Sequence, residues 1–332
     1  MSPTAKAPGS TTPATVIDVA RLAGVSVATV SRILNGTARV AADKREAVEA
    51  AIQKLQFRPN LSARSLRSGS TATIGVLTQD LESPYFTGGT KGIEQGLQGS
   101  GFAPLLVPGH WNPQEEFDRA RLLMARKVDA MIILGGSMQD AQIVEMARQL
   151  PIAITGRHLV APNVFSFHFD QIIGLDHRHI AHIAGPQEHA DAIDRKEGYL
   201  RAHSEAGLPV DPRLIVRGNY LEEGGFEATR KLLSQGVRFT AIFCANDQTL
   251  WGARLALHEQ GLEVPRDVSL VGFDDLPQCL YMTPPVTTIH QSILEMGRAA
   301  ARAVLAALAG QPAPVENLPP LTVVVPSQGQ GT

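Results

Sequence analysis

Cysteine is nearly absent: Cys244 and Cys279 are the only two in 332 residues. Their separation forms no metal or redox spacing, so a reduced, intracellular protein is expected. Long apolar runs are missing as well. Neither end carries the apolar core of a signal peptide, and no stretch approaches the roughly 20 residues needed to cross a bilayer. A cytoplasmic protein without a membrane partner is the expectation. There is no phosphate-cradling P-loop, no Gly-x-Ser-x-Gly elbow and no paired-carboxylate arrangement, so catalysis is not expected and no cofactor is predicted. Four histidines do gather, at His177, His179, His182 and His189. Their spacing fits no common metal site, and a turn followed by a strand would scatter them, so no metal is expected.

Net charge is also scarce, at −2. Taken alone, that value speaks against nucleic acid, but its distribution reverses the inference. From Met1 to Gly69 ten Lys/Arg stand against four Asp/Glu, a surplus of +6; the remainder holds twenty against twenty-eight, or −8. A basic head on an acidic body suggests that one segment meets phosphate while the rest does something else. The length allows two or three domains, and 44% hydrophobic residues are ordinary for a globular chain.

The basic head contains Val16–Asn35, VIDVARLAGVSVATVSRILN. Thr15 is a suitable N-cap, and Val16, Ala20 and Ala23, with Val19 and Leu22 beside them, form one apolar face at helical spacing. Gly24 permits the left-handed backbone of a tight turn, and Ser26 caps a second helix. Val30 and Ile33 face inward on that helix. Val27, Ala28, Thr29 and Arg32 are left at its start and outer side, where a recognition helix meets base edges. Arg32 suits bidentate contact with guanine, while Val27 and Ala28 offer apolar contact such as a thymine methyl accepts. Thr29 suits base or backbone, and Ser26, Ser31 and Asn35 suit phosphate. A third helix is predicted over 42–55, with Val48, Ala51, Ile52 and Leu55 on one face. Residues 1–14, rich in Ser, Thr, Pro and Ala, are expected to be disordered. In 59–70 a helix of about two turns is predicted, too short to hold by itself and therefore formed on docking. Leu66, flanked by Arg64 and Arg67, suits an apolar wedge between minor-groove base steps.

From Thr73 the pattern alternates between short apolar strands and amphipathic helices. Predicted strands include Ile74–Leu77, Ala103–Val107, Ala130–Leu134, Ile152–Thr155, Ile180–Ala184, Ala241–Cys244 and Ser269–Phe273. Such alternation means parallel sheets covered by helices, and ligands in such sheets bind outside the carboxyl ends of the strands. Arg157, just past a strand end, is a candidate ligand contact on this ground. Asp247 and Asp275 read as helix caps.

Thr15-Val16-Ile17-Asp18-Val19-Ala20, Ala23-Gly24-Val25-Ser26, Thr29-Val30-Ser31-Arg32 and Leu34-Asn35-Gly36, followed by Phe57-Arg58-Pro59-Asn60 and Ala63-Arg64-Ser65-Leu66, closely resemble the lactose-repressor (LacI/GalR) family of bacterial regulators. The match runs over nearly the whole chain. The resemblance implies an all-α helix-turn-helix headpiece (15–58), a hinge helix or linker (59–70), and an α/β two-lobed core like a periplasmic binding protein with parallel sheets (71–326). Lobe 1 would comprise about 72–168 and 293–318, and lobe 2 about 169–289 and 319–326. It implies DNA contacts by the headpiece residues above and by Asn60, Ala63 and Leu66. It also implies effector contacts by Asp80, by Arg195 in the Arg-x-x-Gly-Tyr match ending at Tyr199, and by Tyr220, Asn246 and Asp274. These side chains fit a sugar: carboxylates and amides meet vicinal hydroxyls, Arg donates two hydrogen bonds at once, and Tyr offers a flat face.

The implied function is a DNA-binding transcriptional regulator, a repressor, controlled allosterically by a small ligand of saccharide type. It would act as a homodimer, or a higher assembly of dimers, on double-stranded operator DNA. The alternative is a sugar-binding receptor module without DNA function. One stretch departs from the family. Only Gln171–His179 separate Asp170 from Ile180, where relatives carry a full helix, and a crossover between parallel neighbours in one sheet needs about a dozen residues. A helix of about ten residues is therefore expected to be missing there.

Overall fold

The structure is a computed structural model, and it describes residues 14–35, 40–57, 69–167, 177–314, 318 and 322–324. The expected tail, the docking helix with Asn60, Ala63 and Leu66, and the shortened segment after Asp170 therefore lie outside the described residues, apart from their edges. The chain divides into two compact units, residues 1–71 and 72–332.

In the first unit α1 spans Val16–Leu22, α2 Val27–Asn35 and α3 Ala42–Leu55. Thr15 and Asp18 form a reciprocal capping box at the head of α1. Both the Thr15 amide and its hydroxyl donate to Asp18 Oδ2, at 3.0 and 2.7 Å. Gly24 takes φ +66°, the left-handed turn that a Cβ would strain, and Val25 N then reaches back to Ala20 O at 3.1 Å. Ser26 Oγ accepts from Thr29 N at 3.2 Å and so starts α2. Val19, Ala20, Val30, Val48, Ala51 and Phe57 are buried together. This apolar set is small, so the unit has little core of its own to lose. Leu22, expected beside the inner face, is 44% exposed.

The second unit holds two parallel sheets. The first is ordered β2-β1-β3-β4-β5, with β1 Thr73–Thr78, β2 Ala103–Pro108, β3 Ala130–Leu134, β4 Ile152–Thr155 and β5 Val164–Phe167. The second is ordered β7-β6-β8-β9, with β6 Ile180–Ala184, β7 Ile215–Arg217, β8 Ala241–Cys244 and β9 Ser269–Val271. Helix α4 (Pro84–Leu97) follows β1, α5 (Pro113–Ala125) follows β2 and α6 (Asp140–Ala147) follows β3. In lobe 2, α7 (Ala190–Glu205), α8 (Glu222–Ser234) and α9 (Asp247–Glu259) alternate with the strands. β3, β4, β6 and β8 are buried along their whole length, as strands covered on both faces must be.

The chain then returns. β10 (Thr288–His290) runs beside the end of β9 and pairs antiparallel with β11 (Thr322–Val324), and between them α10 (Ile293–Leu308) packs back on lobe 1 against α4. Glycine permits that close approach. A Cβ on Gly92 would stand 2.1 Å from Leu294 O, and one on Gly297 2.2 Å from Gly89 O.

This topology corrects one expectation. β5 is an edge of the first sheet and β6 an interior strand of the second, so the two are not neighbours in one sheet. The crossover length required between neighbours in one sheet does not apply to β5 and β6.

Candidate effector cleft and nucleic-acid interface

On the headpiece, Val27, Ala28 and Arg32 are exposed along α2, Ser26 is exposed at its start, and Thr29 and Ser31 are half-buried. Ser26 already has a structural task as the α2 cap, and its hydroxyl also pairs with Thr29 Oγ1 at 2.9 Å. The α2 N-terminus itself, the positive end of the helix dipole, is suited to phosphate. The side chain of Asn35 lies outside the described residues.

In the second unit a cleft opens between the lobes. Lobe 1 supplies Asp80, Ser83, Tyr85, Phe86 and Trp111; lobe 2 supplies Asp191, Arg195, Tyr220, Leu221, Asn246, Gln248 and Asp274. These residues follow strand ends: Asp80 comes after β1, Trp111 after β2, Tyr220 after β7, Asn246 after β8 and Asp274 after β9. The cleft therefore sits at the carboxyl edges of both sheets, where parallel α/β architecture leaves room for ligands.

Arg195 is its electrostatic centre. The side chain is buried, with Nη1 donating to Ala245 O at 2.5 Å and Nη2 3.5 Å from Asp191 and 3.9 Å from Asp274. The guanidinium lies over Phe273 at 4.0 Å and faces the Tyr220 ring at 5.5 Å. Burial works against its charge, yet Tyr220, Asp191 and Asp274 around it outweigh that and keep it protonated. For Asp274 the balance differs. Burial pushes its carboxyl well up, Arg195 pulls it back only in part, and Gln291 Nε2 donates to it at 2.5 Å.

Asn246 and Tyr220 hold each other. Asn246 Oδ1 accepts from Thr249 N at 2.9 Å, capping α9, while Nδ2 donates to Tyr220 O at 2.9 Å. Tyr220 is buried at φ +68°, and its ring occupies the space a Cβ on Gly185 would take, 2.5 Å away. Positive φ recurs around the cleft at non-glycine residues: Trp111 at +57°, Asp274 at +115° and Asp275 at +56°. Backbone held in that region is costly and persists where surrounding contacts determine it.

Five of the six expected effector residues thus meet in one cleft: Asp80, Arg195, Tyr220, Asn246 and Asp274. Arg157 does not. Its guanidinium is turned into lobe 1, with Nη1 donating to Met138 O at 2.6 Å and Asp140 at 3.0 Å, and Nη2 to Gly136 O at 2.5 Å. The loop it grips is held from the other side by buried Glu116, which accepts from Ser137 N and Met138 N at 2.9 and 2.7 Å. Position after a strand end suggested a ligand contact, but a long cation beside three loop acceptors folds onto them. Asp247 and Asp275 are not caps either. Asn246 fills that position, and Asp247 is instead a buried brace accepting from Leu276 N at 2.8 Å and Thr288 Oγ1 at 2.6 Å. Burial raises its pKa to about 6. Asp275 bonds His290 Nδ1 at 2.9 Å.

Sequence reasoning missed Ser83, Tyr85, Phe86, Trp111, Asp191 and Gln248. Asp191 was findable, because it stands one helical turn before Arg195. The histidines part company: His177 pairs with Thr240 at 3.1 Å, His182 is buried between Tyr199 and Phe243, and His189 stacks on Trp111. Tyr199, at the end of the Arg-x-x-Gly-Tyr match, donates to Ile180 O in the same interior. Among the described residues no helix is long and apolar enough to cross a membrane.

Comparison with known proteins places this geometry in context. Residues 15–60 match the family described as bacterial regulatory proteins, lacI family, and residues 169–326 match the periplasmic binding protein-like domain. The transcriptional regulator GalR of Escherichia coli (strain K12) is 33% identical over 312 residues, covering 91% of both chains. The transcriptional repressor PurR of Haemophilus influenzae is 34% identical over 303 residues, covering 88% of this chain and 90% of that one. Among solved structures, a lac repressor dimer bound to operator and an anti-inducer superimposes with a TM-score of 0.83 at 28% identity, over 95% of this chain and 98% of that one. A CelR–cellobiose complex superimposes with a TM-score of 0.67 at 30% identity, over 94% and 98%.

Proposed function

The chain belongs to the lacI family of bacterial regulatory proteins, a DNA-binding transcriptional repressor and not an enzyme, and from that premise we propose that its cleft binds an uncharged saccharide. The observation that carries this reading is the charge of the lining. Asp80 and Asp191, with Asp274 pushed toward its neutral form by burial, face one cation, and Arg195 is already engaged with Asp191, Asp274 and a carbonyl. No second Lys or Arg stands among the described residues of the cleft. A phosphosugar would bring its charge against acidic groups with no free cation to meet it, whereas hydroxyl groups find acceptors on every side and aromatic rings to lie against.

The protein works as a dimer on operator DNA, in the cytoplasm. Ser26, Ser31 and Asn35 hold phosphate, Arg32 reads guanine, and Val27, Ala28 and Thr29 contribute apolar and polar base contacts. Asn60, Ala63 and Leu66 contact the operator centre, with Leu66 as the wedge. Asp80 on one lobe and Asp191, Arg195, Tyr220, Asn246 and Asp274 on the other give a ligand partners on both, so binding selects one lobe angle over another. That differential affinity is what couples the cleft to DNA.

A thermal-shift panel of sugars with and without phosphate tests the cleft, since a ligand of the native state alone raises its stability. A neutral sugar should raise Tm and its phosphate should not; stabilisation by phosphosugars alone would overturn the reading. A gel shift on the gene's own upstream region, with and without the sugar found, tests the coupling.

A further inference from the structure

The feature left over after the five expected ligand contacts is Trp111. It lies three residues past the end of β2, and its indole crosses to the other lobe, stacking on His189 with ring centres 4.3 Å apart and planes 22° off parallel. Phe86 stands edge-on to it at 5.4 Å, and Tyr220 is 5.7 Å away. His189 is buried, at the N-cap of α7, the helix that carries Asp191 and Arg195. The stacked pair therefore closes one side of the cleft with side chains from both lobes.

The backbone shows that this placement is imposed. His110 and Trp111 take φ +53° and +57° in succession, a costly choice for two bulky residues. Buried Gln79 holds the pair there: His110 N donates to Gln79 O and Trp111 N to Gln79 Oε1, both at 3.1 Å. In an ordinary conformation the chain would turn the indole elsewhere.

We propose that Trp111 determines ligand size: it occupies the space a second sugar ring would need and confines the cleft to a single pyranose. Trp111 lines the cleft beside Asp80, Asp191 and Tyr220, so its indole takes up space that a ligand would otherwise fill. An indole takes up nearly the room of one pyranose ring, so removing it makes space for two. The proposal rests on the saccharide reading above.

The test uses the full-length protein, calorimetric titration, and four probes: glucose, galactose, cellobiose and lactose. The wild type should bind a hexose and neither disaccharide. Trp111→Ala should lose about tenfold in hexose affinity and gain at least about tenfold for a disaccharide. Trp111→Phe, which keeps a ring, should still exclude disaccharides. Trp111 and Trp251 are the only tryptophans, so Trp251 emission reports folding of each variant, and Trp111→Leu replaces the alanine variant if that one does not fold. Disaccharide binding by the wild type, or no gain in either small variant, overturns the size role while leaving a saccharide effector standing. If no probe binds any form, both readings fall.

Discussion

Ser83 and Gln248 meet across the cleft: the Ser83 hydroxyl of lobe 1 donates to Gln248 Oε1 of lobe 2 at 2.7 Å, both residues buried. This bond joins the lobes directly and so favours the arrangement in which they close on each other. Ser83→Ala leaves a buried carbonyl oxygen without its donor, at a cost of about 1 kcal/mol. Tm should fall by about 2–4 °C. Because closure is the form that surrounds a ligand, sugar affinity should fall about fivefold while headpiece contacts stay intact. Calorimetric titration beside a melting curve checks both; an unchanged affinity would mean that the bond has no part in closure.

Arg157→Lys should separate a structural cation from a ligand contact. The guanidinium joins Gly136 O, Met138 O and Asp140, and an ammonium group lacks the planar fork to reach all three. The expected loss is about 2 kcal/mol of stability, with sugar affinity within about threefold of wild type. Asp191→Asn gives the contrasting result, since it faces Arg195 in the cleft: affinity falls while lobe 1 is untouched. A loss of affinity without a loss of stability in the lysine variant would return Arg157 to the site.

His182 should make lobe 2 sensitive to acid. Its ring is buried between Tyr199 and Phe243, at 5.1 and 4.8 Å, with Nδ1 donating to Phe243 O at 3.0 Å. Burial is the main cause that holds its pKa down to about 4, against 6.5 when unfolded. The unfolded chain therefore takes up a proton from pH 6.5 downward and the folded one only near pH 4. Stability is present in full above pH 6.5 and declines as pH falls, by on the order of 3 kcal/mol at pH 4. His182→Phe keeps the stack and should flatten this slope in urea melts between pH 4 and 8, even with some loss at pH 7.5. An equal slope in both proteins would assign the acid response to other groups.

Much of this architecture was legible because its signals are local. Strands such as Ala130–Leu134 and Ala241–Cys244 are short apolar runs between amphipathic helices, and Thr15, Gly24 and Ser26 punctuate the headpiece through chemistry that works within four residues. The cleft was legible only in outline. Asp247 and Asn246 are adjacent and both suited to capping, and only packing decides that the asparagine caps while the aspartate turns inward to Leu276 and Thr288. Trp111 was hidden for a different reason. Sequence rules look for glycine or asparagine at positive φ, and here Gln79, 32 positions earlier, imposes it on a tryptophan. Strand ends mark where a ligand site is, but the direction of a long side chain there, as at Arg157, depends on acceptors supplied by other loops.

The headpiece offers few hydrogen-bonding groups to bases, since Val27 and Ala28 lead the exposed side of α2 and only Arg32 carries a cation there. On the proposed reading, specificity is divided between Arg32 and a minor-groove wedge at Leu66. Arg32→Ala should cost about 1–3 kcal/mol against the operator and relax the preference for one base pair in each half-site. Leu66→Ala should weaken operator binding but leave binding to bulk DNA nearly unchanged, because unstacking a base step serves only the specific complex. The salt dependence should stay steep in the leucine variant, since its phosphate contacts remain, and flatten by about one unit of slope in Arg32→Ala only if that side chain meets phosphate instead of guanine. Competition gel shifts at several salt concentrations measure all three quantities. Equal losses on operator and bulk DNA for Leu66→Ala would remove the wedge and leave base reading to α2 alone.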